Sequence, residues 1–335
     1  MVKFAVVGIG HISKKHIEAI SNTNHAELVA VCDTNPQRLE SFINLPTFTD
    51  LEQMLISVPE IDVVNICVPS GLHANLTEIC AKYKKNVIVE KPMAIKLEEA
   101  ERMIKVAKDN NIKLAVVHPN RFRPAIIKLK EQVDKGAFGK LSHANATVRW
   151  NRNQEYYDQA PWRGTKEFDG GVLMNQAIHN IDLLLWMMGP VDSVQAMAAT
   201  RVRRIEAEDV AAAVVTFKNG ALGIIEAATT IYPRNLEESL AIFGEKGSVK
   251  IGGRTANFIE TWEFEGDSEQ ERRNIISQIE EDPYGKPGHQ CIIEDMVQAI
   301  INNREPVVSG KDGIAPVKLI LAILKSAETG KRVYL

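Results

Sequence analysis

Short apolar runs alternate with amphipathic stretches along the first third of the chain. The runs are rich in β-branched residues and predict strands at Val2–Val7, Glu27–Cys32, Val63–Val68, Val87–Glu90 and Lys113–Val117. The stretches between them repeat apolar residues at helical spacing and predict helices at Ser13–Ser21, Asp50–Ile56, His73–Lys82 and Leu97–Asn110, with Asp50 as an N-cap. Repeated units of strand, helix and strand predict a doubly wound parallel sheet of the Rossmann type, within an α/β protein.

After about residue 120 the pattern changes to strands that follow one another directly. These strands are predicted at 141–150, 194–202, 210–217, 221–227, 240–243, 248–251 and 257–264, and a type I′ turn at Asn219-Gly220 joins two of them. Helices are predicted at 126–135, 171–188, 289–301 and 313–328, and residues 265–282 form a charged, exposed segment. We therefore expect a first domain over 1–120 and a second α/β domain over 121–335 with a large open, mainly antiparallel sheet. The final helix is able to pack back on the first domain.

Composition agrees with two globular domains and excludes several classes of protein. The 335 residues are 45% hydrophobic, and 40 Lys+Arg against 43 Asp+Glu give a net charge of -3, which disfavours nucleic acid as a partner. No apolar run approaches the ~20 residues that cross a membrane. The four cysteines show no C-x-x-C spacing, which favours a reduced, cytoplasmic protein.

The first predicted strand runs directly into a glycine-rich turn, Gly8-Ile9-Gly10-His11-Ile12-Ser13, that opens the first predicted helix. Such a turn lets the backbone approach a pyrophosphate at a helix N-terminus, so we assign cofactor binding to Gly8, Gly10, His11, Ile12 and Ser13. Asp33 ends the second strand, where its carboxylate would accept hydrogen bonds from ribose hydroxyls and repel a 2′-phosphate. NAD is therefore favoured over NADP. The alternative is that Asp33 only caps the following helical turn.

Two further segments carry candidate chemistry. Lys91, in Glu90-Lys91-Pro92, ends a strand at the carboxyl edge of the sheet, where it can move a proton or hold a substrate hydroxyl; the alternative is a surface lysine. Asn175, His179 and Asp182 have helical spacing and share one face, on which a neutral imidazole can act as a base. The alternative is a core histidine paired with Asp182. A metal site is disfavoured here, because amides are poor ligands for the metals that imidazole prefers.

Aromatic and cationic residues are concentrated between residues 150 and 165. This segment suits a sugar and an anion, since aromatic rings cover sugar faces and guanidinium groups bind carboxylate or phosphate in a bidentate manner. The candidates are Arg152, Tyr156, Tyr157 and Arg163. The alternative is that the aromatic residues only anchor a long loop.

Taken together, these motifs resemble the glucose-fructose oxidoreductase/inositol dehydrogenase family over essentially the whole chain. The resemblance rests on the glycine-rich turn, Asp33, Pro69-Ser70-x-x-His73, Glu90-Lys91-Pro92 and the helix from Gly170-Gly171 to His179. More narrowly, the segments 154–158, 162–165, 168–171, 174–177, 232–237 and 244–247 resemble the bacterial UDP-N-acetyl-D-glucosaminuronate 3-dehydrogenases.

The resemblance implies oxidation of a sugar C3 hydroxyl by NAD, on the route to diacetamido uronic acids of surface polysaccharide such as O-antigen. Some members of that group regenerate NAD in place with 2-oxoglutarate. The resemblance adds six residues to the cofactor site: Pro69, Ser70, His73, Glu90, Lys91 and Arg163. It also assigns nine residues to the nucleotide-sugar substrate: Lys91, Asn120, Arg121, Arg152, Tyr156, Tyr157, Asn175, His179 and Arg234. Lys91, His179 and Asn175 are the catalytic candidates, although the wider family usually carries Asp at the position of Asn175.

Two alternatives to this function stay open. One is a different sugar or polyol dehydrogenase of the same family, and the other is a non-catalytic NAD-binding regulator built on the same fold. The presence of both Lys91 and His179 argues against the regulator. An exposed sheet face in the second domain also predicts a homodimer or homotetramer formed through that face.

Overall fold

The computed structural model describes all 335 residues, which form two units. The first unit contains Met1–Pro119 together with Pro287–Ile314, and the second contains Asn120–Lys286 together with Ala315–Leu335. The first unit is therefore built from two separate parts of the chain.

The sheet of the first unit has six parallel strands. They are β1 (Val2–Val7), β2 (Ala26–Cys32), β3 (Thr47–Phe48), β4 (Val63–Ile66), β5 (Asn86–Val89) and β6 (Leu114–Val116). Their order is β3-β2-β1-β4-β5-β6, and every neighbouring pair is parallel. The chain reverses its direction of winding between β1 and β4, and in such sheets this switch point is where ligands bind. The predicted doubly wound parallel sheet is confirmed.

Four helices connect these strands: α1 (Ser13–Ser21), α2 (Leu51–Ser57), α3 (His73–Lys82) and α4 (Leu97–Asp109). Asp50 caps α2 as predicted, since its side chain accepts the backbone N–H of Gln53 at 2.8 Å. The central strands β1, β4 and β5 are almost entirely buried on both faces, which explains why their sequences are mainly apolar.

The second unit is built on an eight-stranded sheet. Its strands are β7 (Leu141–Arg149), β8 (Val191–Ala199), β9 (Val210–Phe217), β10 (Leu222–Ala228), β11 (Glu237–Gly244), β12 (Gly247–Gly252), β13 (Phe258–Phe264) and β14 (Val333–Tyr334). Their order is β13-β12-β11-β7-β10-β9-β8-β14. All neighbours are antiparallel except β7 and β10. The prediction of a mainly antiparallel sheet is confirmed.

The hairpin between β9 and β10 forms where it was predicted, but its turn is not of type I′. Gly220 has a φ of +86°, whereas Asn219 is not among the residues with positive φ. The Asn219 side chain accepts the N–H of Ala221 at 3.0 Å and donates to the carbonyl of Met188. One of these hydrogen bonds is local and the other reaches Met188, 31 residues away, and Asn219 turns the chain without the left-handed conformation.

Four helices accompany this sheet: α5 (Pro124–Asp134), α6 (Gln154–Asp158), α7 (Ile178–Met188) and α8 (Glu269–Glu281). The predicted single helix over 171–188 is only half correct, because Val172–Ala177 forms a π-helix that leads into α7. The charged segment after β13 is largely the exposed helix α8, which begins with a capping box of Ser268 and Glu271.

The last two helices are α9 (Gly288–Ile301) and α10 (Gly310–Thr329). Helix α9 packs against α1 within the first unit, and the N–H of Val116 in β6 donates to the carbonyl of Val308. The edge of the parallel sheet is thus covered by chain from the far end of the sequence. None of the helices has the length and hydropathy of a membrane span.

Candidate cofactor and substrate sites

The glycine-rich turn has the geometry that a bound pyrophosphate needs. Gly8 has a φ of +89°, and a Cβ added to it would lie 2.7 Å from the carbonyl oxygen of Cys67, so no larger residue fits there. Gly10 borders open space, and the Ser13 hydroxyl donates to the Gly10 carbonyl at 2.8 Å. Helix α1 then begins with no side-chain cap and no acidic residue in its first turn. Its N-terminal N–H groups are available to an anion.

Asp33 lies beside this turn and is buried at the end of β2. One carboxylate oxygen accepts the N–H of Ile9 at 2.7 Å, and the other accepts the N–H of Asn35 at 2.8 Å. The cap of the following 3-10 helix is Asn35 rather than Asp33, so the alternative that Asp33 is only a helix cap is wrong. Arg38 approaches Asp33 at 3.3 Å, which places a cation beside the carboxylate that is predicted to accept the ribose hydroxyls.

The cofactor candidates after β4 differ in exposure. Pro69 and Ser70 are partly exposed at the carboxyl edge of the sheet, as a contact with the cofactor requires. His73 is fully buried, and its ring nitrogens lie 2.9 Å from the carbonyl of Pro92 and 3.0 Å from that of Val68. Burial lowers the pKa of His73 despite these acceptors. The side chain of His73 therefore holds two loops together, while its assignment to the cofactor site stays a prediction.

Glu90 and Lys91, which follow β5, have different surroundings. Lys91 is half-buried at the carboxyl edge, where the sequence analysis expected it. Glu90 is buried and accepts hydrogen bonds from His16, His289 and the backbone N–H of Lys91. Its carboxylate is committed to protein groups, and the assignment of Glu90 to the cofactor site stays a prediction.

In the second unit, two guanidinium groups enclose the ring of Tyr156. Arg163 lies 4.2 Å from its centroid and Arg152 lies 5.4 Å from it. Trp150 and Trp162 extend the stack, at 4.9 Å from Arg152 and Arg163 respectively. The Nε atom of Arg163 is buried and has no hydrogen-bond partner, so this group is oriented by its aromatic neighbours and offers an unused donor.

A chain of side-chain hydrogen bonds joins this stack to the π-helix. Arg152 donates to Gln176 at 3.1 Å, Gln176 donates to the amide oxygen of Asn175 at 3.1 Å, and Asn175 donates to Asp169. Asp169 is buried and also accepts the N–H of Gly164 at 2.7 Å. No local sequence pattern marks Asp169 and Gln176, which hold the amide of Asn175 in one orientation.

The start of the π-helix is held by a second buried carboxylate. Glu208 accepts the N–H of Leu173 at 3.0 Å, and a Cβ on Gly171 would lie 2.1 Å from its carboxyl carbon. Burial raises the pKa of Glu208. Because the turn is π-helical, the α-helical spacing used to place Asn175 and His179 on one face holds only from Ile178 onward. Both side chains are half-buried.

Three residues assigned to the substrate lie inside the second unit. Arg121 is buried and donates to both oxygens of Asp182, at 2.8 and 2.6 Å. Asn120 is buried and donates to Glu238 at 3.0 Å. The Tyr157 hydroxyl lies 3.1 Å from Thr229, and burial raises the pKa of Tyr157 to about 12. These side chains make hydrogen bonds within the second unit, and their assignment as substrate contacts stays a prediction.

The remaining candidates of the second unit are accessible. Arg234 is exposed between β10 and β11, and Arg152 and Arg163 are partly exposed. In the first unit, His11 of the glycine-rich turn is exposed and Ile12 is partly exposed. The roles of these residues toward ligands stay predictions.

Comparison with known proteins assigns the fold to a family. The model described as an oxidoreductase family with an NAD-binding Rossmann fold matches residues 2–118, and that of the GFO/IDH/MocA C-terminal domain matches residues 126–250. The WlbA dehydrogenase from Bordetella pertussis, solved in complex with NADH and UDP-GlcNAcA, is 38% identical with a TM-score of 0.94, covering 100% of this chain and 97% of that one. The chain belongs to the glucose-fructose oxidoreductase/inositol dehydrogenase family.

Two further relatives of this family are similar over the full length of the chain. The WlbA dehydrogenase from Chromobacterium violaceum, also in complex with NADH and UDP-GlcNAcA, is 37% identical with a TM-score of 0.93, covering 100% of this chain and 96% of that one. The myo-inositol 2-dehydrogenase of Thermotoga maritima is 27% identical, covering 100% of this chain and 98% of the relative. Like other members of the family, the protein is an NAD-dependent oxidoreductase.

The environment of Asp33 predicts how strongly this family member prefers NAD. NAD is expected to bind at least about tenfold more tightly than NADP, a difference of ~1.4 kcal/mol, because the Asp33 carboxylate accepts ribose hydroxyls and repels a phosphate. Asp33→Ser should narrow the difference, and Arg38→Ala should widen it by removing the neighbouring cation. Calorimetric titration of the protein with NAD and with NADP measures the difference in affinity. Equal affinities in the unaltered protein would contradict the role assigned to Asp33.

Proposed function

We propose that the protein oxidises the C3 hydroxyl of UDP-N-acetyl-D-glucosaminuronic acid to a ketone, in the biosynthesis of diacetamido uronic acids of surface polysaccharide. Support comes from two solved relatives at 38% and 37% identity that carry NADH and UDP-GlcNAcA, each matched over the full length of this chain. The observation in this chain that carries the proposal is the stack of Arg152, Tyr156 and Arg163, which combines an aromatic ring with two cations.

This stack suits an acidic sugar better than a neutral one. A guanidinium group held against aromatic rings is oriented before a ligand arrives, so little side-chain freedom is lost when it pairs with a carboxylate. Arg163 is partly exposed, so the accessible part of its guanidinium group can pair with a ligand carboxylate. Arg234 adds an exposed cation from the loop before β11.

The proposal assigns the proton chemistry to Lys91 and His179. When bound, NAD accepts the hydride that leaves the sugar carbon, while the hydroxyl proton must pass to a protein base. His179 is assigned as that base, because a neutral imidazole is available near pH 7. Lys91 is assigned to hold the hydroxyl and stabilise the developing alkoxide with its positive charge. Asn175, whose amide is fixed by Asp169 and Gln176, is assigned to orient the sugar.

A second candidate function is oxidation of another sugar or polyol. It is favoured by the similarity to a myo-inositol 2-dehydrogenase over the whole chain. Incubation with NAD and a panel of UDP-sugars and polyols, with and without 2-oxoglutarate, followed by mass analysis of the products, distinguishes the two. A product lighter by two hydrogen atoms from the UDP-uronate alone supports the proposal, whereas oxidation of a polyol alone supports the alternative. NAD binding without any oxidation would indicate a regulator.

We also propose that the outer face of the second-unit sheet joins copies of the chain into a homodimer or homotetramer. Apolar side chains on adjacent strands are exposed there, among them Met197 at 82%, Val214 at 56% and Ile224 at 49%. Val214 and Ile224 are direct cross-strand neighbours. A patch of this kind on an otherwise charged surface marks an interaction site.

Ile224→Asp is therefore expected to convert the oligomer to a smaller species, since each copy would bury an unpaired carboxylate in the interface. Sedimentation velocity measures the change. Ile56→Asp is the matched control, because Ile56 is 64% exposed in the first unit. A monomeric unaltered protein, or an Ile224→Asp oligomer of unchanged size, would contradict this interface.

A further inference from the structure

Two helices of the first unit converge on the Glu90 carboxylate. His16 from α1 approaches its Oε1 atom at 3.0 Å, and His289 from α9 approaches the same atom at 3.3 Å. The other oxygen, Oε2, accepts the backbone N–H of Lys91 at 3.1 Å. Asn65 of β4 lies behind His16, with its amide nitrogen 3.0 Å from the His16 Nδ1 atom. We name Glu90, His16, His289 and Asn65 the Glu90 cluster.

The proton positions in this cluster are determined by its hydrogen bonds. With the Asn65 amide nitrogen facing Nδ1 of His16 as its donor, the ring proton of a neutral His16 would lie on Nε2 and be donated to Glu90. His289 donates its own Nε2 proton to the same oxygen. Burial by itself would raise the pKa of Glu90, but the hydrogen bonds from His16 and His289 outweigh it and hold that pKa well below its usual value. Glu90 is therefore a buried anion that accepts three N–H groups.

Two histidines and a carboxylate are also ligands that a metal ion would accept, and their ligand atoms all lie within 4.8 Å of one another. The geometry argues against that use. In a metal site the ligand atoms surround a central point that the ion occupies. Here both histidines point at one carboxylate oxygen, and this oxygen occupies the centre. The cluster has the geometry of a hydrogen-bonded anion.

We propose that Glu90 is a positioning residue for Lys91, and that His16 and His289 act through it by fixing its carboxylate. The backbone of Lys91 is held by Oε2 only as long as Oε1 is held by the two histidines, because the carboxylate moves as one rigid group. His16 belongs to the helix whose N-terminus follows the glycine-rich turn. The cluster thus ties Lys91 to the cofactor-binding helix. The inference rests on the proposed role of Lys91, while its structural part can be measured without activity.

Glu90→Gln is the sharpest test, since it preserves size and changes one contact. The amide oxygen of Gln can still accept both histidines, whereas its NH₂ group would face the N–H of Lys91, donor against donor. We expect kcat to fall about tenfold or more, with the KM for NAD changed less than about threefold, because the glycine-rich turn is untouched. We also expect the Lys91 amide proton to exchange with solvent at least about tenfold faster, as measured by NMR with ¹⁵N-lysine labelling.

His289 provides a conservative rescue. His289→Gln retains an N–H donor and should keep most of kcat, whereas His289→Leu removes the donor and should reproduce the effects of Glu90→Gln. Gln290→Ala is the matched control, because Gln290 also joins α9 to α1, through the Asn22 carbonyl at 3.1 Å, without contacting the cluster. It should leave kcat and the exchange of the Lys91 amide unchanged.

The outcomes separate this inference from the proposed function. If Lys91→Ala keeps its activity but Glu90→Gln accelerates amide exchange, the positioning stands and the catalytic role of Lys91 fails. If the Lys91 amide proton of the Glu90→Gln variant exchanged at an unchanged rate, the positioning role of Glu90 would be overturned. Stoichiometric binding of Zn²⁺, added alone, with loss of the His16 and His289 ring N–H signals would also overturn it, since the carboxylate oxygen would then not be the centre of the cluster.

Discussion

Replacing His179 or Lys91 with alanine is expected to lower kcat by about a hundredfold or more while NAD still binds. A general base within reach of the hydroxyl contributes about 10² to 10⁴ in rate, and loss of a group that stabilises the developing oxyanion has a similar effect. Binding of NAD should persist, because the glycine-rich turn and Asp33 lie on other segments of the first unit. Single-turnover absorbance of NADH measures the chemical step, and calorimetry measures NAD binding.

Matched controls for these variants are Lys96→Ala and His143→Ala. Lys96 is exposed and paired with Glu99 at 3.6 Å, and His143 is stacked on Phe243 in the second-unit sheet. Both controls should keep normal turnover. If the His179 and Lys91 variants also kept it, the proposed site would be wrong. Tyr156 would then be the next candidate base, because the hydroxyl of Tyr157 is buried against Thr229.

The second large effect concerns the charge of the substrate. Neutral UDP-N-acetylglucosamine is expected to have a kcat/KM at least about 150-fold below that of its uronate, a loss of about 3 kcal/mol or more, because a desolvated guanidinium would lose its charged partner. Arg163→Gln should reduce this difference mainly by slowing the uronate. Steady-state rates for both sugars over a range of concentrations measure it.

Arg163→Lys tests whether the guanidinium plane itself matters. Lysine keeps the charge but not the planar group that stacks on Tyr156 at 4.2 Å and Trp162 at 4.9 Å. We expect it to recover only part of the preference for the uronate. Comparable kcat/KM values for the two sugars in the unaltered protein would exclude uronate recognition and leave the family assignment intact.

Local sequence was sufficient for the fold because each element carries its own signal. Apolar runs, the Gly8 turn and the Asp50 cap lie within a few residues of the structure that they determine. The π-helix over Val172–Ala177 was missed because a periodic apolar pattern does not distinguish one helix type from another. The prediction of a type I′ turn at Asn219-Gly220 was wrong because the side-chain hydrogen bonds of Asn219, rather than its residue type, decided its backbone conformation.

The site was predicted less completely, because polar residues show their roles only through distant partners. Tyr156 and Tyr157 are adjacent in sequence, yet one lies between two arginines and the other is buried on Thr229. Arg121 is recognisable as a buried ion-pair residue only together with Asp182, 61 residues away. Glu90 meets His16 across 74 residues and His289 across 199 residues, and no local pattern connects them.

The separation of the first unit into Met1–Pro119 and Pro287–Ile314 has a consequence for how the protein is made. A ribosome that has released only residues 1–119 has exposed all six parallel strands, but not the segment that covers the edge of β6 or His289, the second histidine that contacts Glu90. An open strand edge of this kind invites pairing with other chains. Expression of residues 1–119 alone should therefore yield an aggregating fragment, whereas fusing 287–314 to it through a flexible linker should restore solubility.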